Sequence, residues 1–563
     1  MEYTLIRAVE DWPEDIQIDK DQPLFVDTET AIKEGETDGG LYGEVRLVQL
    51  YQKHWPEDAL IIDCKFIPLK TVLRHIKPYQ LVFHNGSYDL HTINCATDEL
   101  WLPDNLDDTI YLSRLALFNK GAQFDLYSCF RYCKIRREEC ATLDKKELQK
   151  ADWSGLLTEE MLQYAALDVI GLCELYERVE QAKETESYKL DMVNLKYAVE
   201  YSRRGVAADQ KLVQELLLKA VREAEELIPS LPVNPNSPKQ CCELLETSSS
   251  DAETLVRLAL EGNKWARQIK RARYLVKHIN FLHKYNRPRV YGFFNPSSAI
   301  SGRWACKGGD RFTHTNLQQV PRELTKVFKA GEGKVLVYMD YAGLELRMAV
   351  AWTGEPVMAE LMRAGEDLHT FTTASIFDIP KAKVNKVQRN VGKTFTFASL
   401  YGAREGLIGS MLRTKAEIIL PIQELRQLRE RYFDTYQTFK EWHSFHEGSI
   451  RTYGYLDIRT ALGKSVRTTK ATDSLAIPIQ GSSAEVTKVS LALLKSRYPD
   501  ENLISTIHDA NVLEVDREDA DLWVDRLNEC MVEAWYYVIK DLAIPDLPMP
   551  KEAEWNYTWN FGD

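Results

Sequence analysis

The sequence lacks any apolar run near the roughly 20 residues that span a bilayer, and its start, MEYTLIRAVEDWPEDIQ, is acidic and has no signal core. Membrane insertion and export are therefore not expected, and a cytoplasmic location is. Ten cysteines are scattered along the chain; Cys241 and Cys242 are adjacent and Cys129 and Cys133 loosely spaced, but no CxxC pair or Cys/His cluster has zinc spacing. That excludes a structural zinc site and a disulfide framework and leaves reduced thiols. Pro-, Gly- or Ser-rich linkers, internal repeats and low-complexity segments are also missing. Positive charge is in deficit, with 71 Lys and Arg against 84 Asp and Glu, a formal net charge of −13. The sum alone speaks against a nucleic-acid partner, but its distribution matters more. From Lys264 to Arg289 there is no acid at all and aromatics are interleaved. Such a stretch suits either a solvated helix face or a surface that tracks a phosphate backbone.

What is present fits a large soluble protein. The 563 residues, 44% hydrophobic and 28% charged, allow two to four domains with real cores. The run KVLVYMDYAGLELRMAVAW, Lys334 to Trp352, reads as a buried β-branched strand that ends at Asp340 and turns into a helix. Far downstream, LISTIHDANVLEV, Leu503 to Val515, reads as a hairpin with Asp509 at its tip. An acid at a strand end is commonly a cap or a solvated turn. Two of them brought together are what a two-metal phosphoryl-transfer site requires, with hard cations about 3.5–4 Å apart.

The first third carries a second acidic pattern. In QPLFVDTETA, Asp27 and Glu29 stand two apart on a strand and share one face. LVFHNGSYDL adds Asn85 and Asp89 after another apolar strand, and in EEMLQYAALDVIGLCELY Tyr164 and Asp168 stand one helical turn apart. Asn85 reads equally as a helix cap. His54, His75 and His91 are isolated and take no role. In the second half, VQRNVGKTFTFASLYGA sets Arg389, Lys393, Phe397 and Tyr401 at four-residue steps along one helical face about 18 Å long. Two cations followed by two aromatics suit a ligand with phosphates at one end and a base at the other, and Gly402 closes the helix.

In order, these stretches resemble the family A DNA polymerases, the DNA polymerase I type, over nearly the whole chain. DxE, NxxxD and YxxxD resemble the three motifs of proofreading 3′→5′ exonucleases of the DEDD class with a tyrosine. RxxxKxxxFxxxYG resembles the fingers helix of the family, and AGLELR with KTFTFASLYGA leans toward the phage replicative branch. The resemblance implies an α/β multi-domain chain: an RNase H-like exonuclease at 1–185, then a right-hand polymerase at 186–563. In the latter the thumb would take 186–290, the palm 291–355 and 450–563, and the fingers 356–449. It further implies no 5′-nuclease module and no large processivity insertion between Lys189 and Tyr291.

The site roles follow from the same resemblance. Asp27, Glu29, Asp89 and Asp168 would hold two divalent metals, with Tyr164 orienting the attacking water. Asp340, Asp509 and the carbonyl of Tyr341 would hold two Mg²⁺ ions, with Mn²⁺ as a substitute. Arg389, Lys393 and His369 would meet the triphosphate, Phe397 the sugar and base, and Tyr401 the template position. Glu345 would cover the place of a ribose 2′-OH. Arg303, Asn316, Gln318, Gln480 and His508 would contact DNA near the primer end, and Lys239, beside Ser237 and Gln240, would do so from the thumb. Two positions depart from the family pattern: Ala476 stands where Asn is usual, and Ala510 follows Asp509 where the pattern HDE has a glutamate. The implied partners are primer–template DNA and dNTPs, with a helicase–primase or single-strand binding protein as possible replisome contacts, and the implied state is a monomer. A single-subunit RNA polymerase and an inactive DNA-binding scaffold are the alternatives. The exonuclease motifs and Glu345 oppose the first, and six intact acids oppose the second.

Overall fold

The computed structural model describes residues 2–12, 17–31, 43–55, 58–117, 123–135, 145–148, 151–308 and 315–561. Positions 309–314 of the loop passage between Asn295 and Glu323 lie outside the described residues. The chain forms two compact units. The first is Met1–Arg203 with Phe293–Ser298 and Leu462–Val466; the second is Arg204–Gly292, Ala299–Ala461 and Arg467–Asp563.

The first unit is built on a six-stranded mixed sheet of β1 (Glu2–Ile6), β2 (Leu24–Ala31), β3 (Glu44–Tyr51), β4 (Asp58–Asp63), β5 (Gln80–Phe83) and β6 (Asn105–Asp108). The order is β1-β4-β3-β2-β5-β6: β2, β3 and β4 form an antiparallel meander, while β1, β5 and β6 join in parallel. The apolar runs are continuous because both faces are covered; Leu24, Val26, Leu47, Leu60, Leu81 and Phe83 are all buried. The helices α1 (Gly86–Cys95), α2 (Leu126–Cys133) and α3 (Glu159–Val179) follow. α3 packs across β2, β3 and β4 and starts at Thr158, whose hydroxyl accepts the Met161 N–H at 3.2 Å. A Cβ on Gly171 would run into the Phe130 ring, so α2 and α3 approach closely only because that residue is glycine.

The sequence places helix α4 (Glu186–Ser202) in the thumb, yet it belongs to the first compact unit. Its anchors explain why. The Tyr188 hydroxyl donates to Asp107 at 2.7 Å, the Ser202 hydroxyl accepts the Phe294 N–H at 3.0 Å, and Leu195 and Val199 join the sheet core. The chain leaves this helix through Gly205, held at φ +61°.

The second unit centres on an antiparallel sheet of β7 (Lys334–Asp340), β8 (Leu503–Ile507), β9 (Ala510–Asp516) and β10 (Glu554–Asn556), in the order β8-β9-β7-β10. Two long helices, α5 (Gln210–Leu227) and α6 (Lys264–Tyr285), pack together ahead of it. The helices α7 (Leu344–Thr353), α8 (Leu368–Phe377), α9 (Lys386–Leu400), α10 (Ala471–Arg497) and α11 (Ala520–Ile539) supply the rest of what positions the site. α10 differs from expectation. The stretch from Ala476 to Lys495 reads in sequence as running into an amphipathic helix, but the helix begins at Ala471, runs through Pro478 and is buried on nearly every side from Ile477 to Leu491. It is a core helix packed against α7 and α11. Among the described residues no helix is long and apolar enough to cross a membrane, and all nine cysteines are free thiols.

Candidate active sites

In the first unit the pleat of β2 turns Asp27 and Glu29 to one face, and α3 brings Asp168 to them. One carboxylate oxygen from each lies within 4.8 Å of the others. Asp89, on the buried side of α1, does not join that group. Its Oδ1 accepts the Thr28 hydroxyl at 2.7 Å, while its charge still reaches Asp27 and Glu29. Asp168 accepts the Tyr127 hydroxyl, and the Tyr164 hydroxyl lies within hydrogen-bond reach of the same carboxylate. Recession from water, and after it the mutual repulsion of the acids, pushes the Asp27 and Glu29 carboxyls well above their ordinary range. Burial lifts Asp89 to about 7. Several carboxylates this close cannot all ionise alone; an all-oxygen donor set of this kind fits a hard divalent cation. Thr28 and Tyr127 are the residues that motif reading misses. Thr28 sits in plain view between the two acids, whereas Tyr127 belongs to no motif. Asn85 opens α1 in a left-handed conformation, φ 65°, with no side-chain cap bond and its side chain exposed. The cap reading therefore lacks its hydrogen bond.

In the second unit β7 and β9 pair in a register that sets Asp340 opposite Ala510. Asp509 precedes Ala510 in a two-residue turn, so the two acids meet with their carboxyls in hydrogen-bond reach. His508 shares that turn, exposed and at φ +54°, a conformation a non-glycine residue holds only under constraint. Burial and then the Asp509 charge raise Asp340 to about 7. Tyr341 is buried, its hydroxyl donating to the Met531 carbonyl at 2.8 Å.

An open cleft of about 930 Å³ adjoins this pair and is lined by Glu345, Phe397, Tyr401, Ala476, Gln480 and Asp509, among others. Glu345 accepts the Tyr401 hydroxyl and pairs with Arg303, and Gln480 lies in hydrogen-bond reach of Tyr401. Ala476 offers only a methyl group to the cleft. On α9, Lys393 is exposed, but Arg389 forks onto Asp367 at 2.6 and 3.0 Å. Asp367 is also the N-cap of α8, accepting the His369 N–H at 3.1 Å. His369 is half-buried, its ring 6.0 Å from that of Phe397 and its Nδ1 without a partner. Burial, then the nearby Arg389 and Lys393 charges, lowers it to about 4, so it is neutral at ordinary pH.

The remaining candidates are engaged locally. Asn316 caps the following turn through the Gln318 N–H at 3.0 Å, and the Gln318 amide donates to the Thr506 carbonyl at 3.0 Å. Lys239 is exposed on the short helix Pro238–Leu245. The acid-free stretch is α6, and its basic residues are not uniformly free. Arg271 pairs with Glu223 at 2.6 Å, Lys270 with Glu417 at 3.1 Å, and Arg273 holds the carbonyls of Pro235 and Ser250.

Residues 206–560 match the model of DNA polymerase family A, and residues 6–182 match that of a 3′-5′ exonuclease. DNA polymerase I of Aquifex aeolicus is 26% identical, with 95% of each chain covered. The thermostable DNA polymerase I of Thermus aquaticus is 28% identical over 46% of this chain and 31% of its own. Both relatives are bacterial. The fold is similar to that of the polymerase domain of Pol1 from M. smegmatis, solved in complex with DNA primer–template and dNTP. That match has a TM-score of 0.74 at 18% identity and covers 95% of each chain. The chain belongs to DNA polymerase family A and carries a 3′-5′ exonuclease domain ahead of its polymerase domain.

Proposed function

We propose that the chain adds dNMP to a primer 3′-OH under template direction at Asp340 and Asp509, and that it proofreads at Asp27, Glu29, Asp89 and Asp168. The observation that carries this reading is the β7–β9 register, which sets Asp340 opposite Ala510 and so next to Asp509. When bound, divalent cations, Mg²⁺ with Mn²⁺ as a substitute, would supply charge neutralisation of the phosphoryl oxygens and, in the exonuclease, a water acidic enough to attack near neutral pH.

The chain's own groups do the rest. Asp340, Asp509 and the Tyr341 carbonyl would hold the cations of the palm. Lys393 and Arg389 receive the triphosphate, with Arg389 exchanging its Asp367 partner for phosphate. Neutral His369 donates or accepts one hydrogen bond there, and Phe397 packs on the sugar and base. Glu345, fixed by Tyr401 and Arg303, closes the place a 2′-OH would take. Gln480, Arg303, Asn316, Gln318 and His508 face the primer end, and Lys239 with the unpaired cations of α6 follows the duplex. In the exonuclease, Tyr164 orients water and Tyr127 holds Asp168. A monomer in the cytoplasm acting in phage-type replication, alongside replisome proteins, is the narrower role that the wording of the fingers and palm motifs favours.

Primer extension with dNTPs, and primer loss without them, tests this directly. Asp340→Ala or Asp509→Ala should abolish extension and keep degradation of single strands, and Asp27→Ala with Glu29→Ala should do the reverse. Near wild-type extension by either palm variant contradicts the assignment.

A further inference from the structure

Behind the metal-site hairpin lies a polar chain that the proposed chemistry does not use. Asn511 stands two residues after Asp509 and pairs across the sheet with Met339, so alternation turns it away from Asp340 and toward the helices. It is fully buried, and its amide donates to the Ser490 hydroxyl on α10 at 3.1 Å. The single proton of the Ser490 hydroxyl is shared between the Thr487 carbonyl, at 2.7 Å, and the Tyr341 hydroxyl oxygen, which lies in hydrogen-bond reach. Tyr341 directly follows Asp340, and the same hydroxyl donates to the Met531 carbonyl of α11. Both strand ends that present the acids are thus tied through side chains to one serine. The cross-strand position itself offers nothing, since Ala510 is buried and apolar.

A buried amide amid this packing is costly unless it earns a geometric effect, because Asn511 Oδ1 is left without a partner. An apolar side chain would fill the same space without that cost. We propose that Asn511 and Ser490 are positioning residues of the polymerase site, holding the Asp509 turn and the Tyr341 carbonyl in the register that receives divalent cations. This rests on the palm assignment made above.

Groups that orient ligands from behind are worth about 10–100-fold in metal affinity or activity. The test is the Mg²⁺ concentration that half-saturates primer extension, measured for wild type, Asn511→Leu, Ser490→Ala and Ser490→Thr, with thermal midpoints alongside. Degradation of a single strand by the same preparations is the internal control for folding of the first unit. Asn511→Leu and Ser490→Ala should raise the half-saturating Mg²⁺ by about 10-fold. Exonuclease rate should stay constant, and Ser490→Thr, which keeps the hydroxyl, should stay near wild type. An unchanged Mg²⁺ midpoint in both Asn511→Leu and Ser490→Ala, with or without a lower thermal midpoint, overturns the proposal and leaves Asn511 a packing residue. Ser490→Ala removes a single atom, so it reports even if Asn511→Leu does not fold. Failure of the palm assignment itself shows separately, as extension by Asp340→Ala.

Discussion

The two acidic sites are built in opposite ways. In the exonuclease unit three carboxylates crowd together, two from the middle of a sheet and one from a helix packed on it, with the charge of Asp89 on a second helix close behind. In the polymerase unit two acids meet among the described residues, at a strand end and a hairpin turn, and Asp509 borders an open cleft. The first arrangement stores repulsion that a cation relieves, so the site is preassembled for metal. The second, with two acids beside a cleft, suits the proposed reading in which the triphosphate and the primer end would complete the centre. A nuclease that must act on any frayed 3′ end gains from a ready site, whereas a polymerase gains selectivity by assembling its site only around a fitting substrate.

The largest break in this comparison should come from Glu345. If the cleft closes around the correct sugar, Glu345→Ala should lower discrimination against ribonucleotides by about 100-fold, the order set by an unpaired or clashing hydroxyl. Because Glu345 also receives Tyr401, kcat/KM for dNTP should fall too. Phe397→Tyr should instead relax rejection of dideoxynucleotides. Single-nucleotide incorporation with dNTP, rNTP and ddNTP measures both, and unchanged ratios in both variants would remove the pocket assignment.

A smaller effect should sharpen the exonuclease half. Tyr127→Phe deletes one hydrogen bond to Asp168 and should slow single-strand degradation by about 10-fold, with extension untouched. Equal rates would make Tyr127 a packing residue only.

Both sites carry raised carboxyls, and the exonuclease site gathers more of them. Raised carboxyls favour the fold when protonated, so the stability they contribute is full in the ordinary carboxylate range and is lost as pH rises, for Asp89 through about 7. On the proposed reading, bound Mg²⁺ would reverse that loss. The thermal midpoint should therefore gain about 3–5 °C more from Mg²⁺ at pH 8 than at pH 5. The difference should vanish in Asp27→Ala with Glu29→Ala. The smallest change expected is for Ala510→Glu, within about threefold of wild type in extension at pH 8, if cross-strand acids only modulate the cations.

How much of this was legible in the sequence depends on the distance over which each contact is made. Asp27 with Glu29, and Tyr164 with Asp168, are local pairs whose face follows from strand and helix periods, and they stand as that pattern demands. The four-residue steps of α9 are legible for the same reason. Partners chosen by the tertiary fold were not: Asp367 for Arg389, Tyr127 for Asp168 and Ser490 for Asn511 lie 22, 41 and 21 residues apart. The burial of α10 was hidden too, because Ser482, Ser483, Thr487 and Lys488 are polar, yet all four are buried on a helix that packs against α7 and α11.

The contrast between the sites is tested most directly by titrating Mn²⁺ into the protein, first alone and then with primer–template and dNTP, and counting bound ions by electron paramagnetic resonance. The protein alone should bind Mn²⁺ at a class of sites that Asp27→Ala with Glu29→Ala removes and Asp340→Ala leaves intact. Adding DNA and dNTP should create a further class that Asp340→Ala abolishes. Loss of DNA-free Mn²⁺ binding in Asp340→Ala equal to that in the exonuclease variant would contradict the account.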